Sequence, residues 1–153
     1  MYIDLLKYNL ILIITYLGLA AGIILSYIAK EEIRVGKKYL QLLQKLLLTL
    51  IVFFTLYVFS INLIVVIVIS VVIVLLLLFI KNIHQQYVYA LLGLFYWISS
   101  KNINFFIIIS SLIFLYGFPT GSLMRKAEKK SIRQILTMTF YYLIVGFLLY
   151  FIP

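Results

Sequence analysis

Acid–base or metal chemistry in this sequence would have to come from Asp4, Glu31, Glu32, Glu128 and His84, its only carboxylates and its only imidazole. None of the five falls within a long uncharged stretch. Proton relays and many ion-coupled carriers require ionisable groups inside the membrane, so this placement disfavours both. The paired-aspartate, HExxH, GxSxG and phosphate-loop patterns, whose spacings put ligands or nucleophiles on one face, do not occur. With no cysteine in the chain, thiolate metal sites and disulfides are excluded as well. No catalytic residue, metal ligand or cofactor is therefore assigned. One arrangement would change this: Glu31, Glu32, His84 and Glu128 all lie in or beside basic linkers, and folding could gather them around a metal or a phosphate-bearing headgroup. The simpler reading pairs Glu31 and Glu32 with Lys30, Arg34 or Lys37, and Glu128 with Arg125 or Lys129, as solvated charges of little energetic weight.

The elements that would have to position these groups are set by composition. Of 153 residues, 66% are apolar and 11% charged, against roughly half and a quarter in soluble domains. A soluble domain of about 150 residues leaves about 30% of its unfolded surface exposed and has no place for so much apolar area. The chain reads as an all-α, polytopic transmembrane helix bundle in a single domain, with the bilayer as its solvent. The net charge of +9 then fits basic loops on the cytoplasmic side, and nucleic acid is not expected as a partner.

Six spans are expected, at about 8–29, 39–60, 63–80, 87–99, 103–118 and 135–152. The 35 uncharged residues 46–80 would make a single helix of about 52 Å, far beyond one hydrocarbon core of about 30 Å. The stretch must therefore turn, and Asn62, after Ser60, could cap the next helix. The runs at 87–99 and 103–118 are short for crossings, and a re-entrant hairpin with Lys101 facing a polar cavity is the alternative. Charge favours six: one side then carries eleven lysines and arginines, the other only Lys7 and Lys101. That bias places both termini outside a cell membrane. Tyr2, Tyr8, Tyr57, Tyr96, Trp97 and Tyr150 fall at the outer ends of these spans. Tyr27, Tyr39, Tyr87, Tyr89 and Tyr116 fall at the inner ends, as headgroup-level rings would. Tyr16, Tyr141 and Tyr142 sit too deep for that role. With Thr15, Thr137 and Thr139 they are expected to point at other helices, as hydrogen-bonding pairs or as a polar path.

Two stretches resemble each other. GLAAGIILSYIAKEEIR, from Gly18, and GFPTGSLMRKAEKKSIR, from Gly117, share both glycines, a lysine and the closing Ile-Arg. In the first, Gly18, Gly22 and Ser26 recur every four residues and form a stripe small enough for another backbone to approach, a packing face. In the second, Pro119 between the glycines suggests a helix exit and turn. In a composition this biased the match reads first as a coincidence of two basic helix ends; a repeated two-helix hairpin, the alternative, would divide the chain at residues 60 and 100. Beyond the second pair of glycines, Arg125, Lys126, Lys129 and Lys130 alternate with apolar residues, a pattern suited to contact with anionic lipid headgroups.

The segment AKEEIRVGKKYL, residues 29–40, resembles a helix-exit segment of small uncharacterised multi-pass membrane proteins of archaea. The resemblance implies a multi-pass fold and supplies no activity, cofactor or site residue. Uncharged spans, a glycine stripe and the missing catalytic constellation together point to a non-catalytic membrane component. It would be an assembly subunit or a small transporter-like bundle, with lipids and a membrane partner or a second copy as its contacts. An enzyme acting on lipid headgroups at the cytoplasmic face is the alternative.

Overall fold

The computed structural model describes residues 4–58, 63–79, 85–127 and 130–151, without the side chains of 73–79 and 126–127. All regular structure in these segments is helical: α1 (Leu5–Ile28), α2 (Lys30–Val35), α3 (Lys37–Val58), α4 (Leu63–Phe79), α5 (Gln85–Ser99), α6 (Ile103–Ser122), a π-helical turn (Leu123–Ala127), α7 (Ile132–Thr139) and α8 (Tyr141–Tyr150). Among the described residues four helical segments are long and apolar enough to cross a membrane: Leu5–Ile28, Lys37–Val58, Ile103–Arg125 and Ile132–Tyr150. The described parts of α4 and α5 comprise 17 and 15 residues, about 25 Å and 22 Å of helix. The expected turn at Ser60 and Asn62 lies outside the described residues.

Helices α3 and α5 each bury one stripe and turn the opposite face outward. On α3 the buried positions are Gln44, Leu47, Leu48, Ile51, Val52 and Thr55, and on α5 they are Gln85, Tyr89, Leu92, Gly93, Tyr96 and Ser99. This is the 3.6-residue period of a helix with one packed face. The outward faces are apolar too: Leu6, Ile24, Ile28, Ile64 and Ile107 are all exposed. An apolar exterior over a partly polar interior suits a lipid solvent.

The main packing pairs are α1 with α6, and α5 with α8. Neither pair is adjacent in the chain, so the sequential hairpins suggested by the repeat are not the packing units. Tyr8 lies beside Phe106 and Tyr27 beside Arg125, so α1 and α6 run parallel. Gln44 reaches Tyr116 while Tyr57 meets Phe105, which makes α3 antiparallel to them. Contacts from Gln85 to Tyr116 and from Tyr96 to Phe106 set α5 antiparallel as well. Helix α8 opposes α1, with Tyr142 at Thr15 and Gly146 at Tyr8. These directions gather Lys30, Arg34, Lys37, Lys38, Arg125, Lys130 and Arg133 at one end of the bundle. Asp4, Lys7 and Lys101 lie at the other.

The contact between α1 and α6 is made by backbone. A Cβ on Gly18 would overlap the carbonyl of Phe114, and one on Gly22 would lie 2.7 Å from the carbonyl oxygen of Gly117. From the other side, a Cβ on Gly117 would strike Leu19 and Gly18, and one on Gly121 would sit 2.9 Å from the amide nitrogen of Ile23. Ser122 uses this proximity to donate to the Gly22 carbonyl at 2.8 Å. The expectation of a helix exit at the second glycine pair is thus corrected: α6 continues through Pro119 to Ser122, and Gly117 and Gly121 form the surface that receives α1. Proline is tolerated there because α6 is enclosed by other helices. The helical ladder resumes beyond it, where Leu123 N–H reaches both Pro119 and Thr120 carbonyls.

Several boundaries differ from expectation for capping reasons. The fifth span extends to Ser122 instead of ending at 118. At its start, the Asn102 side chain caps α6 by accepting from Asn104 N–H at 3.1 Å. The final helix begins at Ile132, where Ser131 and Gln134 form a reciprocal capping box, and α7 passes into α8 through Phe140, whose N–H reaches the Leu136 carbonyl at 2.9 Å and whose carbonyl accepts from Ile144 N–H at 3.1 Å. Lys101 faces no polar cavity: it is exposed, with its ammonium 4.5 Å from the Trp97 ring centroid.

Replacing Gly22 or Gly117 with leucine should force α1 and α6 apart and destabilise the fold by about 1–3 kcal/mol or more, the usual cost of overpacking. The lipid-facing change Ile24→Leu, at a side chain 58% exposed, should be nearly neutral. Denaturant titration in detergent, followed by helix content, distinguishes these outcomes.

Candidate functional site

Polar side chains enter the bundle core at two levels. Near the basic end, Gln44 of α3, Gln85 and Tyr89 of α5, and Tyr116 and Thr120 of α6 are all buried. Gln44 Nε2 donates to the Tyr116 hydroxyl at 3.2 Å and to Thr120 Oγ1 at 3.0 Å. Tyr116 in turn donates to Gln85 Oε1 over a long 3.4 Å. Thr120 completes its own bonding through the Tyr116 carbonyl at 2.8 Å. Tyr89 packs its ring 6.0 Å from that of Tyr116, with its hydroxyl buried.

Further along the bundle, the tyrosines tie α8 and α5 to α1. Tyr8 donates to the Gly146 carbonyl at 2.7 Å, and Tyr96 to the Tyr8 carbonyl at 2.7 Å. Thr15 bonds the hydroxyl of Tyr142, and Tyr16 bonds Thr139 at 2.9 Å. Gly93 makes room for this arrangement, since a Cβ there would lie 2.8 Å from the Tyr142 carbonyl oxygen. The deep hydroxyls of Thr15, Tyr16, Thr139 and Tyr142 are thus engaged between helices. Tyr141 and Thr137, expected with them, face outward; Thr137 donates to the Arg133 carbonyl at 2.7 Å.

Four of the rings assigned to the membrane interfaces are core residues instead: Tyr8, Tyr89, Tyr96 and Tyr116. Tyr27, Tyr39, Tyr57 and Tyr87 are exposed. The signal that separates the two groups was in the spacing. Tyr89 and Tyr96 are in phase with Leu92 and Gly93, and Gln44 is in phase with Leu47, Leu48 and Ile51, so a strict helical period would have placed all three on buried faces. Distance from a span end, by contrast, does not report rotation about the helix axis.

Of the residues singled out for packing, Gly18 and Gly22 lie against the α6 backbone. Ser26 is buried on the same stripe, where it donates to the Ile23 carbonyl of its own helix at 2.6 Å. Of the basic set, Arg125 is held in place. Its Nη2 and Nε reach the Tyr27 hydroxyl at 2.9 and 3.2 Å, and its Nη1 reaches the Lys130 carbonyl at 3.3 Å. It clamps the π-helical turn to α1. Lys130 is half-buried, whereas Lys129 and the Lys126 side chain lie outside the described residues. Glu31 and Glu32 are exposed on α2, and His84 and Glu128 fall outside the described residues. Among the described residues no group of three or more acids and histidines comes together.

What this interior can do follows from its chemistry. Hydroxyls and amides exchange hydrogen bonds and fix helix register, and they carry no formal charge. Comparison with protein-family models, with curated proteins and with solved structures finds no match, so the reading of function rests on these side chains. A double-mutant cycle between Gln44→Leu and Tyr116→Phe should return a coupling of about 0.6 kcal/mol, with about 1.7 as the upper range for interhelical hydrogen bonds in membranes. Additive effects in detergent unfolding would show that the 3.2 Å contact carries no energy of its own.

Proposed function

We propose that this chain is a multi-pass integral protein of the cell membrane and a non-catalytic component of it, either an assembly subunit or a small transporter-like bundle. The observation that carries this reading is the character of the interior. The buried polar side chains are Thr, Ser and Gln, joined by tyrosine hydroxyls, and no ionised side chain is buried among the described residues. Such an interior holds helices together without the carboxylates that proton relays use. In this reading the chain crosses six times, α4 and α5 included, with the basic end at the cytoplasm and both termini outside. The separation of charge between the two ends of the bundle supports that orientation.

Single cysteines can be labelled without background, since the chain has none. Glu32 and Asp4 are exposed at opposite ends and make no side-chain cap. An impermeant maleimide should therefore label Asp4→Cys in intact cells, and Glu32→Cys only after the membrane is opened. Labelling of Glu32→Cys in intact cells would reverse the orientation.

The reading also makes anionic headgroups contacts of Arg125, Lys126, Lys129 and Lys130, at about 1 kcal/mol per basic residue near the surface. Because Arg125 is engaged by Tyr27, neutralising the three lysines should reduce anionic-liposome association much more than Arg125→Gln does. Flotation of the purified protein with liposomes of graded charge measures the difference.

A further inference from the structure

Beside α7 and α8, where they pack on α5, a groove of about 730 Å³ opens on the outer surface of the bundle. This volume falls in the range of small-molecule sites, about 300–1,000 Å³. Its lining changes character along its length. Gln86, Arg133 and Gln134 line it beside Ile132 at the basic end; further along Leu136, Met138, Phe140 and Ile144 predominate, with the Tyr141 hydroxyl and Thr137, which donates to the Arg133 carbonyl, as the polar groups there. From Arg133 to Ile144 the helical rise is about 16 Å, close to half of a hydrocarbon core of about 30 Å. The groove thus spans one leaflet, polar at the headgroup level and apolar at the depth of the acyl chains.

Among the described residues, nothing occupies the polar end. The Arg133 guanidinium is exposed and makes no hydrogen bond or ion pair with described residues, and the same holds for the Gln86 amide. Gln134 uses Oε1 to accept from Ser131 N–H at 3.0 Å, which leaves its Nε2 available. No carboxylate lines the groove among the described residues. Guanidinium and amide donors at one end of an apolar channel match a phosphate oxygen cluster attached to an acyl chain. Geometry and charge agree on one occupant.

We propose that this groove seats one anionic phospholipid of the leaflet facing the basic end, with its phosphate at Arg133, Gln86 and Gln134 and an acyl chain along Leu136, Phe140 and Ile144. The inference rests on the membrane-spanning reading above and adds a defined lipid position to it. Arg133 is distinct from the clamped Arg125 and from the lysines of the preceding turn. Its guanidinium holds the headgroup phosphate, while Leu136, Phe140 and Ile144 line the channel that receives the chain.

The test uses the full chain in vesicles, with Trp97→Phe removing the native tryptophan. Phe140→Trp then reports from within the groove, and Leu43→Trp reports from the exposed face of α3 near the basic end. Vesicles contain phosphatidylcholine with either brominated phosphatidylglycerol or brominated phosphatidylcholine at equal fraction. We expect quenching of Phe140→Trp to be at least threefold stronger with the brominated anionic lipid. Leu43→Trp should show a much smaller preference. Arg133→Gln should abolish the preference at Phe140→Trp, and Arg133→Lys should retain part of it. Equal quenching by the two lipids at Phe140→Trp would overturn the seat, as would a preference equally large at Leu43→Trp, which would mean general enrichment around the basic end. Preference unchanged by Arg133→Gln would overturn it too, as would protection of Phe140→Trp from both lipids by a protein partner or a second copy. If neither tryptophan is quenched by either lipid, the membrane-spanning reading itself fails, a result distinguishable from failure of the seat alone.

Discussion

In a bilayer the exterior of a helix gains nothing by leaving lipid for another helix, because lipid tails are as apolar as leucine. Association must come from close packing and from hydrogen bonds that lipid cannot offer. This chain supplies the first through glycine. Gly18, Gly22, Gly117 and Gly121 bring the backbones of α1 and α6 into contact, and the rest of the bundle is arranged around that parallel pair. Only at such an approach can Ser122 reach the Gly22 carbonyl, and the other helices then find their register against a fixed pair. The glycines shared by the two similar segments are the ones that meet: Gly18 and Gly22 lie against Gly117 and Gly121 and their neighbours.

Hydrogen bonds supply the rest. Gln44 links α3 to α6, Gln85 links α5 to α6, and the hydroxyls of Tyr8, Tyr96 and Tyr142 link α1, α5 and α8. Each of these groups would be costly to leave alone in hydrocarbon, which gives it reason to find a partner on a neighbouring helix. The network specifies which helices meet; apolar surface alone would allow many pairings. It is also neutral among the described residues, so its strength should respond little to ionic strength or to pH near neutrality.

The sequence makes the helical class and the rich supply of apolar surface plain, because both follow from composition and run length. It also makes Gly18 and Gly22 visible as a small-residue stripe. It does not reveal their partner. The second glycine pair carries a proline, which in water would mark the end of a helix, and only the enclosing structure shows α6 continuing past it. The buried cluster at Gln44, Tyr89 and Tyr116 was obscured by a different ambiguity: a tyrosine near a span end suits either the headgroup level or the core, and rotation about the helix axis decides between them. The groove beside α7 could not be read at all, since it depends on which face of the last helix α5 covers.

The parallel pair of α1 and α6 also has a consequence in time. Gly117 follows Gly18 by 99 residues, so at a synthesis rate of about 5–20 residues per second α1 spends about 5–20 s without the surface that fits it. During that interval its glycine stripe faces lipid or a temporary neighbour, and the helices made in between must leave a parallel slot vacant. Assembly of this bundle is therefore not a simple zippering from the first helix onward. It has a late step, the arrival of α6, before which the earlier helices are held in the membrane with their most specific contact still unmade.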